Sequence, residues 1–436
     1  MSGKNKKKKK SKGSPFIQVH LSQCLIVKNE EKNIEKALSW AKHIAFEQVV
    51  IDTGSTDRTV EIAEKLGAKV FHFDWIDDFS AARNFAIEQA RGEWIAFLDA
   101  DEYFSAVDAK KLMATLRKIQ TDSEQRVQCL AISCAISNLD DDGKPIGIAT
   151  QIRIFRNHLA LRYAGKIHEF LQVNSENVRR ADDIVIIHTG YSETAFIETG
   201  KTKRNVELLR KQIDAFAYDY NLKAYLGEAL LGMEDAESFS EAEELFFKVV
   251  SEESNADGEF KKKAYTHLIE ARLDRGDFGE SEELSRKALN ELPGDIDLGY
   301  YLGFALNKRK EYGEAFDILH ISEEKLLGSK ALDESVRISA NPSLLFTQLA
   351  AAAQGLGDVE GLVKYAAITL SVDKLQSGVL SIYIATLLKH GVSEDEIVAL
   401  LSQIYDMKSS KDLVLLSNAA AKYGAADLAR RFAGMV

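Results

Sequence analysis

The stretch "WIAFLDADEYF", Trp94–Phe104, decides how the first half of the chain folds. Trp94 to Leu98 is a short apolar run with the composition of a buried strand, and it ends in the acids Asp99, Asp101 and Glu102. Working outward, "CLIVKNEE" from Cys24 and "QVVIDTGS" from Gln48 repeat the pattern: an apolar run, then polar residues. Between these runs lie helical stretches. One has Ile34, Leu38 and Ala41 on one face. "DRTVEIAEKLG" has Val60, Ala63 and Leu66 on one face and Gly67 as its stop. "FSAARNFAIEQARG" is expected to be capped by Ser80 and stopped by Gly92. With "AKVFHFDW" as a third strand, the order is β-α-β-α-β-α-β. That order predicts an α/β fold, a doubly wound and mostly parallel sheet with right-handed crossovers. Such sheets bind ligands beyond the carboxyl ends of their strands, which is where the acids fall.

From about residue 203 the pattern turns helical, with a period of 34 residues. Phe278 and Tyr312 correspond, as do Gly276 and Lys310. Segments starting at Ala224, Ala264, Gly299 and Phe346 fit one template, so a tetratricopeptide-like all-α domain is expected. The expected division is a disordered basic tail over 1–15, an α/β domain over 16–205 and helical repeats over 206–436.

Composition narrows the function classes. Residues 1–12 hold seven lysines and no acid, so the rest is more acidic than the net charge of −11. An acidic body argues against nucleic acid as a partner. The lysine tail suits a solvated role or weak contact with an anionic membrane. Cys24, Cys129 and Cys134 show no disulfide or zinc spacing and fit a reducing, cytoplasmic setting. No run of about 18 apolar residues and no signal peptide is visible. Neither G-x-G-x-x-G nor G-x-x-x-x-G-K-[ST] follows a strand, which speaks against NAD and against a P-loop.

Asp99-x-Asp101 at a strand end offers hard oxygen ligands for Mg²⁺ or Mn²⁺, with positions open to water and phosphate. Asp57 is a candidate N-cap. Arg83 is either a fork for a carboxylate, base or phosphate or a plain helix-surface arginine.

Taken together, "CLIVKNEE", "VVIDTGSTDRTVEIAEKLGAKVF", "DDFSAARNFAIEQARGEWIAFLDADE", "GKIHEFL" and "HTGY" resemble family 2 glycosyltransferases of the GT-A fold. The resemblance covers about residues 20–210. It is nearest to the branch with tetratricopeptide repeats behind the catalytic domain, which includes bacterial peptide S-glycosyltransferases acting on bacteriocins such as sublancin. It implies an inverting, nucleotide-sugar-dependent hexosyltransferase using Mg²⁺ or Mn²⁺, with UDP as the carrier. The implied donor-binding residues are Val27, Asn29, Glu30, Asp52, Asp78, Arg83, Asp99 and Ala100, with Lys203 and Arg204 as a diphosphate clamp. Asp52 would meet the base. The implied metal ligands are Asp99, Asp101 and His188. Glu169 or His168 would take the acceptor's proton. Structural alternatives stay open at this point: Glu169 pairing with Lys166, His188 as a plain strand-end residue, and Lys203 and Arg204 as the solvated start of a helix.

The implied acceptor is a peptide or protein held by the repeats. A lipid-linked or cell-surface glycan acceptor is the second reading, and a non-catalytic helical-repeat scaffold the third. Self-association as a homo-oligomer is compatible with the repeats.

Overall fold

The computed structural model describes residues 18–189, 201–328 and 337–436; the lysine tail, Gly190 and Tyr191 lie outside them. The chain forms two compact units, Met1–Gln212 and Ile213–Val436.

The first unit is built on an eight-stranded mixed sheet. Strands β1 (Leu21–Val27), β2 (Glu47–Asp52), β3 (Lys69–His72) and β4 (Trp94–Phe97) are mutually parallel, in the spatial order β3-β2-β1-β4. Their crossovers carry helices α1 (Ile34–Ser39), α2 (Thr59–Lys65) and α3 (Phe79–Gln89). β1, β2 and β4 are nearly fully buried, which explains their unbroken apolar runs.

The other half of the sheet was not read from the sequence in detail. β6 (Ala131–Leu139) and β7 (Pro145–Arg156) form a long antiparallel hairpin, and β7 lies against β4. β10 (Val178–His188) runs parallel to β6. The short β5 (Glu102–Phe104) pairs antiparallel with β10, opposing Glu102 to His188. Helix α4 (Ala106–Thr121) packs its apolar face, with Leu112 and Leu116, into the core beneath Trp94 and Phe104. A two-stranded ribbon, β8 (Tyr163–Ala164) with β9 (Phe170–Leu171), stands apart from the main sheet. The three cysteine thiols are buried and unpaired.

Two local readings change. The cap of α3 is Asp78, which accepts a hydrogen bond from the Ala81 amide at 2.9 Å; Ser80 lies inside the first turn, and its hydroxyl donates to the Gly165 carbonyl. The extended backbone of Asp78 is what an N-cap requires. The helix also ends at Gln89, before Gly92, where a Cβ would come within 2.7 Å of the Ser22 amide nitrogen.

The loops at the strand ends are tied by side chains. Asp52 accepts from the amides of Ser55 at 3.0 Å and Gly54 at 3.3 Å, and its Oδ2 lies 3.2 Å from His72 Nδ1. Burial pushes the Asp52 carboxyl pKa up, but the bonds from Ser55, His72 and Gly54 outweigh it and hold the group below its ordinary value. Asn29 Oδ1 accepts from the Thr56 amide at 2.8 Å, and Asp57 bonds the Glu31 and Thr59 amides. The β1–α1 and β2–α2 loops are therefore one bonded surface.

The second unit is all α. Among the described residues it contains six antiparallel helix pairs, the first being Tyr220–Leu231 with Ala236–Val249 and the last Ser410–Lys422 with Ala426–Ala433. The turns repeat a single device. Glu234, Gly276, Lys310, Gly357 and Gly424 all have positive φ, and each stands two residues before the pair's second helix. The correspondence of Gly276 with Lys310 is thus a shared left-handed turn. Small residues sit where helices cross: a Cβ on Gly303 would lie 2.4 Å from Leu319 Cγ.

Lys310 is exposed and pays a left-handed cost that glycine escapes. Lys310→Gly is expected to stabilise the second unit by about 1 kcal/mol, read as a higher urea midpoint at constant slope. Asp52→Asn is expected to destabilise the first unit at neutral pH, by on the order of 1 kcal/mol. Because folding depresses the Asp52 pKa, the wild-type advantage is full above the ordinary carboxylate value of about 4. It disappears as pH falls through the folded value. Urea melts of both proteins at neutral and acid pH check this; a gap that persists in acid contradicts it.

Candidate active site

Strand register brings the chemistry together. Val27, Asp52 and His72 stand at one level, and the Leu98 amide donates to the Cys24 carbonyl at 3.3 Å. The chain winds from β1 through β2 to β3 on one side and then crosses from β3 to β4 on the other, so a crevice opens between β1 and β4 at their carboxyl ends. It is a cleft of about 460 Å³.

Asp99 is gripped from two sides. Its Oδ1 accepts from Arg83 Nη2 at 2.8 Å and its Oδ2 from Arg153 Nη2 at 3.0 Å. Arg153 also donates to Glu102 Oε1 at 2.7 Å, and Glu102 Oε2 accepts the Asp99 amide at 3.1 Å. Burial alone would raise the Asp99 pKa, but the two guanidinium charges hold it well below the carboxylate range. Glu102 moves the other way: burial raises it and Arg153 only partly offsets that.

Arg83 is no surface residue. It is 4% exposed, its guanidinium carbon lies 4.7 Å from the Phe97 ring centroid and 5.2 Å from that of Tyr163, and its Nε donates to Glu169 Oε1 at 2.6 Å. The partner of Glu169 is therefore Arg83 and not Lys166. Asn84 fixes the approach of this segment, exchanging hydrogen bonds with the backbone of Tyr163 at 2.9 and 3.0 Å. The Phe79 amide donates to the Lys166 carbonyl at 2.8 Å. His168 sits in the left-handed region, φ 54°, at the cleft wall.

Asp101 faces His188, Oδ2 to Nε2 at 3.4 Å, while His188 Nδ1 lies 2.8 Å from Asn138 Oδ1. The pairing of β5 with β10 makes this approach, and the Thr189 amide donates to the Asp101 carbonyl at 3.0 Å. Burial lowers the His188 pKa, but Asp101 more than compensates and raises it.

The implied divalent cation can be tested against these donors. With Nδ1–H given to the Asn138 oxygen, the Nε2 lone pair of His188 and the Asp101 carboxylate converge. A metal-ligating histidine is usually oriented in this way. The pair fits a hard cation that takes its other ligands from phosphate and water. Asp99 gives each oxygen to an arginine, and among the described residues no cluster of three metal-ligating side chains occurs.

Of the sequence-derived residues, Val27, Glu30, Arg83, Asp99, Ala100, Asp101, His168, Glu169, His188 and Arg204 line the cleft. Arg204 lies over the Phe79 ring at 5.3 Å. Asn29, Asp52, Asp78 and Lys203 fall outside the lining: the first two tie loops, Asp78 caps α3 and Lys203 is exposed. Arg153, Asn138 and the role of Glu102 escaped the sequence reading. The signal was present in "TQIRIFR", where Gln151 and Arg153 alternate with Ile152 and Ile154. A charge on the polar face of a strand entering the core asks for a partner.

Residues 22–125 match the family model described as glycosyl transferase family 2. A TPR repeat-containing protein of Synechococcus elongatus is 28% identical over 320 residues, 70% of this chain and 75% of that one. The SPbeta prophage-derived glycosyltransferase SunS of Bacillus subtilis is 31% identical over 194 residues, 43% of this chain; the match spans 44% of the relative, less than half its length. Among solved structures, TarS of S. aureus in complex with UDP-GlcNAc aligns at 17% identity with a TM-score of 0.33, covering 72% of this chain and 94% of that one. The chain thus carries a glycosyltransferase domain of family 2, matched over residues 22–125.

Proposed function

We propose that this protein moves a sugar from a UDP-linked donor to a peptide or protein acceptor, inverting the anomeric centre with one Mg²⁺ or Mn²⁺ bound. The observation that carries the reading is the convergence of the Asp101–His188 pair and the Arg83–Glu169 pair on one strand-end cleft. Asp101 and His188 hold the cation. When bound, it supplies positive charge to the leaving diphosphate. The nucleoside lies over Val27, Glu30 and Ala100, with Asp99 turned to the ribose, and Arg204 faces the diphosphate. Asp52 and Asn29 act indirectly, by fixing the loops beneath the base.

Glu169 is the base. Its carboxylate takes the acceptor's proton while the acceptor's lone pair forms the new bond to the anomeric carbon. The bond to the diphosphate oxygen breaks, and UDP leaves with that electron pair. Arg83 fixes the Glu169 rotamer through the 2.6 Å bond. His168 borders the acceptor side. In this reading residues 16–205 perform the chemistry and 206–436 recognise the acceptor. Stacked helix pairs present long concave surfaces suited to an extended polypeptide.

Thermal melts with UDP and Mn²⁺ test the donor site. At about a hundredfold excess over Kd, stabilisation of about 2.7 kcal/mol is expected, and Asp101→Ala should lose its Mn²⁺-dependent part. No shift in the wild-type protein would contradict the reading. Glu169→Gln should still bind UDP but turn over at least ~100-fold more slowly, measured as UDP release with an acceptor present. A screen of peptides against lipid-linked glycans then decides the acceptor class.

A further inference from the structure

The long hairpin leaves one strand edge open beside the cleft. β7 bonds β6 along its length, but its other side meets β4 only over residues 154–156. Among the described residues no strand pairs with that side over 145–153. Two register shifts bound the free part. Arg153 is the extra residue between the partners of Ile132 and Ser133, and Ile146 is the extra residue between the partners of Asn138 and Leu139. Between them residues 147–152 pair regularly with β6 and give about 20 Å of strand. In an antiparallel ladder, alternate residues turn their N–H and C=O to the open side. This stretch therefore presents a row of unused main-chain donors and acceptors.

The residue types do nothing to close that edge. "PIGIATQ", residues 145–151, contains no charge. Ile146 is 56% exposed and Ile148 52%, and Gly147, Thr150 and Gln151 are exposed beside them. Proteins ordinarily protect an exposed edge with lysines, proline or bulges, or cover it. Here Pro145 and the two shifts stand at the ends of the stretch and none falls within it. The inner end is continuous with the active-site cleft: Gln151 and Arg153 line it together with His168 and Glu169.

We infer that residues 147–152 are the docking edge for the acceptor. An extended polypeptide adds to β7 as a further strand through main-chain hydrogen bonds, and this carries its nucleophilic side chain into the cleft toward Glu169. Ile148 and Thr150, two apart on one face of the strand, meet its side chains. The occupant is the acceptor and not a second copy of this chain, because the edge runs into the cleft, where a paired copy would stand across the entrance that the donor needs. This rests on the peptide-acceptor reading above and deepens it. Main-chain bonding tolerates many side chains but demands an extended segment, so the acceptor class is unfolded or loop polypeptide. The edge positions the residue that receives the sugar; recognition by the repeats concerns the rest of the acceptor.

The test uses the full chain with Mn²⁺, UDP-glucose and UDP-N-acetylglucosamine as donors, and a pool of short peptides with one central Cys, Ser or Thr, read as UDP release. The peptide turned over fastest is resynthesised with N-methyl groups on alternate backbone amides, in each of the two possible registers. One register should raise KM about tenfold or more, and the other should change it by less than about threefold. Ile148→Lys should raise KM for the unmodified peptide about tenfold at unchanged kcat. Ile148→Thr, which keeps a β-branched residue without charge, should stay near the wild type, and the melting shift with UDP and Mn²⁺ should be the same in both variants. Equal tolerance of both methylated registers would overturn the inference, whatever the variants do. So would a KM that Ile148→Lys leaves unchanged. A wild-type dimer that Ile148→Lys splits, seen by light scattering, assigns the edge to a second copy and overturns it as well. A protein that binds UDP yet modifies only lipid-linked glycans removes the peptide-acceptor reading and this docking edge with it. Absence of UDP binding is a different failure, that of the donor site itself.

Discussion

Much of the first unit depends on one carboxylate held between two guanidinium groups. Asp99 follows a fully buried strand, and its half-buried carboxylate is bonded by a guanidinium group at each oxygen. Arg83 comes from α3 and Arg153 from β7, so three elements distant in sequence meet on one group. Removing Arg153 would leave the buried Glu102 without its cation, the costly half of such an interaction. The ion pairs are weak evidence for stability, because apolar packing would serve as well. Their value lies in geometry: they fix the Asp99 turn, the Glu102 carboxylate beside it and, through Arg83, the position of Glu169.

The mixed sheet makes this meeting possible. β7 runs antiparallel to β4, with Ala96 opposite Ile154, so Arg153 enters the core where β4 ends. β10 lies farther along the sheet, yet its last residue reaches the same turn because β5 folds back to pair with it. The parallel half supplies a crevice at the switch point, and the other half delivers Arg153 and His188 to its wall, with Asn138 bonded to His188.

These halves differ in how far the sequence exposes them. Strands buried on both faces show as apolar runs, so β1, β2 and β4 could be read from residue types alone. β7 begins with mostly exposed residues and becomes buried only near Ile154 and Phe155, so it shows no such run. The cleft lining was legible at strand ends, as at Asp101 and His188. Asp78, which caps a helix, and Asp52, which closes a loop, lie outside that lining. Nothing in the spacing of Arg83, Asp99 and Arg153 announces that they touch. In the second unit, the period was clear where the left-handed turn keeps its place. It faded toward the end, where second helices shorten to eight residues at Glu394–Leu401 and Ala426–Ala433.

The electrostatics of the cleft also give the proposed cation a reason to exist. Asp99, Glu102 and Glu169 are bonded to Arg83 and Arg153, Asp101 faces His188, and Arg204 lines the same cleft. Burial raises the Glu102 pKa, whereas His188 is lowered by burial and raised overall by Asp101, with Glu102 and Asp99 adding to it. A nucleoside diphosphate would bring further negative charge into the same space. In the proposed reading, a cation between Asp101 and His188 would offset that charge alongside Arg204, since both buried arginines are already matched by carboxylates.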